Sequence, residues 1–132
     1  MSEQLQLGWV IVYVGSPREA SEFYAQTFGL TPEFESADGA YAQLATGPTR
    51  LAFTSYDQGE YNFAGGVARN NGGGQPVNVE ITLVANDVDA AFEKAVAAGC
   101  TPLAEPKDEP RGQRVSWVRD PFGTLVELAT PM

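Results

Sequence analysis

Asp120-Pro121-Phe122-Gly123-Thr124-Leu125-Val126-Glu127-Leu128 reads as a turn feeding a short strand that carries a carboxylate in an apolar setting. Asp-Pro opens the turn, Gly123 supplies a backbone conformation that other residues resist, and the strand after it alternates sides. Leu125, Glu127 and Ala129 face one way, Val126 and Leu128 the other. A carboxylate on the inner face of a sheet is costly unless compensated, so Glu127 is expected to line a wet cavity or to have a partner. Backbone amides, Arg50, Arg114 and Arg119 are the candidate partners.

Upstream of this strand, residues 77–85 alternate with Val79, Ile81 and Leu83 on one face and Asn78, Glu80 and Thr82 on the other. Asp87 caps a helix whose inner stripe is Val88, Ala91, Phe92, Ala95 and Val96, closed by Gly99. Strands at 101–104, 114–119 and 124–129 follow, giving the order β-α-β-β-β. The charged, proline-bracketed stretch from Glu105 to Gln113 reads as a loop at the mouth of a cup, with Arg111 and Gln113 as possible ligand contacts.

The first half repeats this order. Residues 8–14 form a strand with Val10, Val12 and Val14 on one side and Trp9, Ile11 and Tyr13 on the other, both apolar and so both expected to be covered. Ser16-Pro17-Arg18-Glu19 is a capping box with proline at the first helical position. Ala20, Phe23, Tyr24, Thr27 and Phe28 make the inward stripe, and Gly29 ends the helix. Strands are expected at 31–36, 41–45 and 50–55.

Overlaying the halves aligns Gly29-Leu30-Thr31-Pro32 with Gly99-Cys100-Thr101-Pro102, and the caps Ser16 and Asp87. Seven residues before each cap stand Trp9 and Glu80. Leu51-Ala52-Phe53 matches Val126-Glu127-Leu128. Trp9, Ala52, Glu80 and Glu127 are therefore equivalent positions across a duplication. The expected fold is α+β: one domain over 1–132, with module one at 7–55, a glycine-rich linker at 56–76 and module two at 77–130. The two modules are expected to form a curved, mixed-sheet cup with the helices outside.

Composition narrows the function classes. The chain has 132 residues and 43% hydrophobic content, enough for a real core. Its formal charge of −9, from 17 acidic and 8 basic residues, disfavours nucleic acid and anionic membrane as partners. No apolar run reaches the roughly 18 residues of a membrane span, and the start of the chain lacks a basic-then-apolar leader, so a cytoplasmic location is expected. Cys100 reads as a small buried residue rather than a nucleophile, since with no histidine in the chain the usual base is missing.

The paired modules, the opening Ser-Pro-x-x-Ala-x-x-Phe-Tyr-x-x-x-Phe-Gly-Leu, the Asp-Val-Asp-Ala-Ala-Phe of the second helix and the closing Arg-Asp-Pro-Phe-Gly-Thr-Leu-Val-Glu-Leu together resemble the vicinal oxygen chelate superfamily. Glyoxalase I, extradiol dioxygenases, fosfomycin-modifying enzymes and bleomycin-resistance proteins belong to it. The resemblance implies a divalent metal held by His or Gln on the first strand of each module and by Glu on the last. Those positions fall on Trp9, Ala52, Glu80 and Glu127, of which only Glu80 and Glu127 can bind a metal. No cofactor is therefore expected, a two-carboxylate metal site being disfavoured.

Two functions follow from the resemblance. The first is a metal-free, drug-sequestering homodimer that takes a cationic or aromatic small molecule. Trp9, Tyr13, Phe34, Tyr41, Ala52, Tyr56 and Trp117 would line it, and Glu80 and Glu127 would accept hydrogen bonds. The second is a glyoxalase-like lyase or isomerase in which Glu80 or Glu127 carries the proton, because repulsion and burial raise the pKa of one of two neighbouring carboxylates.

Overall fold

A computed structural model describes residues 2–132, in two compact units. One unit extends through Arg69 and the other runs from Asn70 to Met132. Each contains a four-stranded mixed sheet, and the element order is α+β as two tandem modules.

In the first unit, β1 (Trp9–Val14) leads to α1 (Pro17–Phe28), then β2 (Thr31–Glu35), β3 (Tyr41–Ala45) and β4 (Arg50–Ser55). The sheet order is β1-β4-β3-β2, with β1 parallel to β4 and the other pairs antiparallel. The Ser16 hydroxyl accepts from the Glu19 N–H, Pro17 opens α1, and Gly29 closes it at φ 74°. The apolar stripe of α1 buries Ala20 and Tyr24 against Val14, Leu44 and Phe53; the Tyr24 and Phe53 ring centroids are 5.2 Å apart. Burying side chains such as Val14, Leu44 and Phe53 contributes about 1.5–3 kcal/mol each.

The segment expected to be a linker contains a helix. α2 (Tyr56–Asn62) packs against β1 and β4, capped by the Ser55 hydroxyl, which accepts from the Gln58 N–H. Gly59 in its middle obscured it, because glycine weakens an isolated helix. Here the glycine is required by packing, since a Cβ on it would stand 2.9 Å from Tyr13 Cε2. The serine and glutamine three residues apart were the available signal.

The second unit repeats the plan without the extra helix: β5 (Glu80–Val84), α3 (Val88–Ala97), β6 (Thr101–Asp108), β7 (Arg114–Arg119) and β8 (Leu125–Ala129), in the order β5-β8-β7-β6. β6 is longer than expected, reaching Asp108, so the loop read at 105–113 shrinks to a turn after it. Pro102 and Pro106 are tolerated because β6 is an edge strand with irregular register. Val88 and Ala95 of α3 are buried with Val118, Val126 and Leu128. Cys100 is buried as expected, and burial first, then the nearby Asp120 charge, push its thiol up to about 12, which leaves it inert.

Around the closing motif, the Asp120 carboxylate accepts from the Phe122 and Thr124 N–H groups, and Gly123 takes φ 94°. Arg119 is 6% exposed, and its guanidinium donates to the carbonyls of Gly73, Gly74 and Gly123 and to Asn70 Oδ1. The glycine-rich stretch is thus tied to the second sheet by a buried cation.

Candidate functional site

Strand register decides which side chains share a face. In the second unit, Thr82 stands opposite Glu127 on the parallel side, and Trp117 stands opposite it on the antiparallel side. Glu80, two residues before Thr82, lies on the same face, away from the apolar layer under α3. This puts both sequence-predicted carboxylates beside Trp117.

The Thr82 hydroxyl lies 3.1 Å from Glu80 Oε2 and 2.9 Å from Glu127 Oε1. A hydroxyl carries one proton, so it can donate to only one ionised carboxylate at a time. The two carboxylates therefore compete for that proton. Burial first, and then the neighbouring Glu80, raise the Glu127 pKa, against the Thr82 hydrogen bond and the Arg111 charge, which lower it. On the far side, Trp117 Nε1 donates to Glu80 Oε1 at 3.1 Å, and Lys107 Nζ lies 5.6 Å from the Trp117 ring centroid. None of Arg50, Arg114 and Arg119 partners Glu127. Arg50 pairs with Glu33, Arg114 with Asp89 and Asp108, and Arg119 holds backbone carbonyls.

Carboxylate pair, hydroxyl and indole together can hold a proton, accept hydrogen bonds from a donor-rich ligand and offer a flat apolar wall.

In the first unit the equivalent face carries Trp9, Ile11, Tyr13, Tyr41, Gln43, Arg50, Ala52 and Thr54. Trp9 Nε1 donates to Gln43 Oε1 at 2.8 Å, and the Tyr41 hydroxyl donates to the same oxygen at 2.6 Å. Gln43 Nε2 donates to Glu33, whose carboxyl is held low first by that bond and then by Arg50. Gln43 and Glu33 were missed in the sequence; Gln43 stands opposite Ala52 as Trp117 stands opposite Glu127, so the overlay of halves contained the signal.

The remaining sequence-predicted residues divide by exposure. Trp9 and Phe34 are 54% and 57% exposed, and Phe34 sits against Tyr41 with centroids 6.1 Å apart. Ala52 is fully buried. Tyr56 is buried too, with the Arg69 guanidinium 4.6 Å from its ring centroid, so it packs within the first unit. Tyr13 and Tyr41 line a pocket of about 380 Å³ between the sheet face and α2. In the second unit, Arg111 Nε donates to Gln113 Oε1, and the buried Gln113 holds the Thr130 carbonyl.

Tandem modules of this order, each with a four-stranded mixed sheet and an open face carrying the equivalent positions, define a class of two-module α+β domains. Comparison with known proteins gives the family: the profile of the Glyoxalase/Bleomycin resistance protein/Dioxygenase superfamily matches residues 6–128, and the chain belongs to that superfamily. A 60-residue stretch, 46% of this chain, is 40% identical to an uncharacterized protein of Mycobacterium bovis and spans 38% of that relative's length. The same figures hold for a Mycobacterium tuberculosis relative, of whose length 34% is spanned.

Among solved structures, a glyoxalase-related enzyme from Fulvimarina pelagi has a TM-score of 0.80 at 21% identity, covering 97% of this chain and 89% of that one. TioX from Micromonospora sp. ML1 has a TM-score of 0.69 at 23% identity, covering 96% and 99%. A lactoylglutathione lyase from Agrobacterium tumefaciens has a TM-score of 0.68 at 21% identity, covering 97% and 95%. At these identities the likeness is one of fold.

Proposed function

We propose that the protein is a metal-independent small-molecule binding protein of the bleomycin-resistance type, sequestering a cationic or aromatic ligand. The observation that carries this reading is the Glu80-Thr82-Glu127 cluster beside Trp117, which offers acceptors and a flat wall on an open sheet face.

A resident metal does not fit the donor set. Of the four positions that the family uses for ligands, Trp9 has its ring nitrogen committed as a donor to Gln43, and Ala52 has no donor atom. Among the described residues no three His, Cys, Asp or Glu side chains stand together, whereas such centres take three or four protein ligands. The sequestering protein is a cytoplasmic homodimer. Its dimer surface includes the outer edge of β1, where Trp9, Val10 and Ile11 are exposed on a strand paired on one side only, and Leu5 and Leu7, exposed just before it. Contrary to the sequence expectation, both faces of the first half of β1 are open within the chain.

Titrating the protein with bleomycin-like and other cationic aromatic compounds while following Trp fluorescence tests this reading. Quenching or a spectral shift that saturates is expected, because Trp117 touches Glu80 directly. No response across the panel overturns the proposal.

The second reading, a glyoxalase-like lyase or isomerase, is favoured by one observation. Glu127, raised towards the protonated state beside a hydroxyl and a second carboxylate, is poised to give and retake a proton. Turnover that disappears in Glu127→Gln with unchanged ligand affinity would establish it.

A further inference from the structure

The pocket of about 380 Å³ on the first unit is built by Ile11, Tyr13, Tyr41 and Thr54 of the sheet, Ser36, Asp38 and Ala40 of the β2–β3 turn, and Gln58 and Asn62 of α2. Its size suits a compact small molecule. The apolar surface comes from Ile11 and the two tyrosine rings. The polar groups include both donors and acceptors, and one of them carries a charge.

The Tyr41 hydroxyl spends its proton on Gln43, so it faces a ligand as an acceptor. Gln58 donates one of its two amide hydrogens to Asn62 Oδ1 and keeps its carbonyl oxygen as an acceptor, and the Tyr13 hydroxyl, which accepts from Asn62 Nδ2, keeps its proton as a donor. Asp38 Oδ1 accepts from the Ala40 N–H and the Ser36 hydroxyl, and these bonds, in that order, hold the carboxyl below the usual range. Asp38 is the one charged side chain lining the pocket, and it is ionised. Arg18, which lines the neighbouring cleft, is engaged by Glu35.

We infer that this pocket binds a primary arylalkylammonium: the ammonium donates to the Asp38 carboxylate and the Gln58 carbonyl, and the ring lies against Tyr13 and Tyr41. Charge and flat walls select that ligand class, and an anion meets a carboxylate with no balancing cation among the lining residues. α2 is the element that makes the pocket, and Gly59 is what lets α2 come down onto Tyr13. The inference rests on the binding reading above for the ligand's charge and locates one recognition site within the first unit alone.

The test is titration of the full chain, by ¹H–¹⁵N correlation spectra at neutral pH, with 2-phenylethylammonium and separately with its uncharged counterpart 2-phenylethanol. Saturable shifts are expected at Tyr13, Asp38, Ala40, Tyr41, Gln58 and Asn62, with the alcohol weaker by about tenfold, the weight of one charge-assisted contact. Asp38→Asn preserves the acceptor that holds the turn and should erase the difference between cation and alcohol. Gly59→Ala, whose methyl carbon presses on the Tyr13 ring, should weaken both ligands together while the spectrum stays dispersed. Equal affinity for the two ligands, or full binding by Asp38→Asn, overturns the inference. Shifts confined to Thr82, Trp117 and Glu127 overturn this pocket while leaving sequestration intact; no saturable shift anywhere counts against both.

Discussion

The indole N–H of Trp117 on β7 donates to Glu80 Oε1 on β5, across the intervening strand β8. The first unit makes the same link with the partners exchanged, the indole of Trp9 on β1 reaching Gln43 on β3 across β4. In each unit an indole and an acceptor two strands away fix the middle of the open face. Trp117→Phe keeps the ring wall and removes the donor. It is expected to cost about 1 kcal/mol in urea unfolding, the usual net value of such a hydrogen bond, and to weaken ligand binding by releasing Glu80.

Glu127 gives the second unit a pH dependence whose sign follows from linkage. Its pKa is raised above the ordinary 4.5, so from that value upwards the unfolded chain ionises before the folded one does. Folding stability contributed by this group is therefore complete below 4.5 and declines as pH rises through the raised folded value. Glu127→Gln removes the decline. Its urea midpoint should exceed that of the parent at pH 7 and converge on it at pH 4, and the reverse order would contradict the assignment.

Ser116 is fully buried on the helix-covered face of β7, and its hydroxyl has no hydrogen-bond partner among the described residues. A buried hydroxyl without a partner costs free energy that alanine would not. Ser116→Ala is expected to raise stability by about 1 kcal/mol, read from the thermal or urea midpoint.

Arg119→Met removes the donors that hold Gly73, Gly74 and Asn70 while keeping much of the buried stem. Hydrogen exchange of amides in the 70–76 stretch should accelerate, and stability should fall by about 1.5–3 kcal/mol, the range for hydrogen bonds from a charged group.

Much of this architecture was legible in the sequence because the duplication states it twice. Helix caps at Ser16 and Asp87 and the alternation in 125–129 are local, and local rules found them. The Glu80 and Glu127 neighbourhood followed from counting back from the caps. What escaped depends on contacts distant in sequence. The helix at 56–62 is stabilised by packing on Tyr13, and the role of Arg119 appears only when residues 70–74 fold back onto it. Gln43 looked like an ordinary strand residue until register placed it beneath both Trp9 and Tyr41.

Exposure also departed from expectation along β1. Alternating apolar residues suggested two covered faces, yet an edge strand with a single neighbour leaves Trp9, Val10 and Ile11 open. Sequence periodicity reports that a residue suits burial; it does not say which chain supplies the cover.

In the proposed function, the Glu80–Glu127 face binds a ligand directly, without a metal between. Calorimetric titration of chelator-treated and Ni-, Zn- or Mn-supplemented protein with the cationic aromatic compound that gives the strongest fluorescence response tests it most directly, with metal content measured on the same samples. The same saturable binding is expected in every sample, with substoichiometric metal and loss of affinity in Glu80→Gln and Glu127→Gln. Stoichiometric metal that those substitutions release, accompanied by binding or glyoxalase turnover only in the metal-loaded protein, would contradict it.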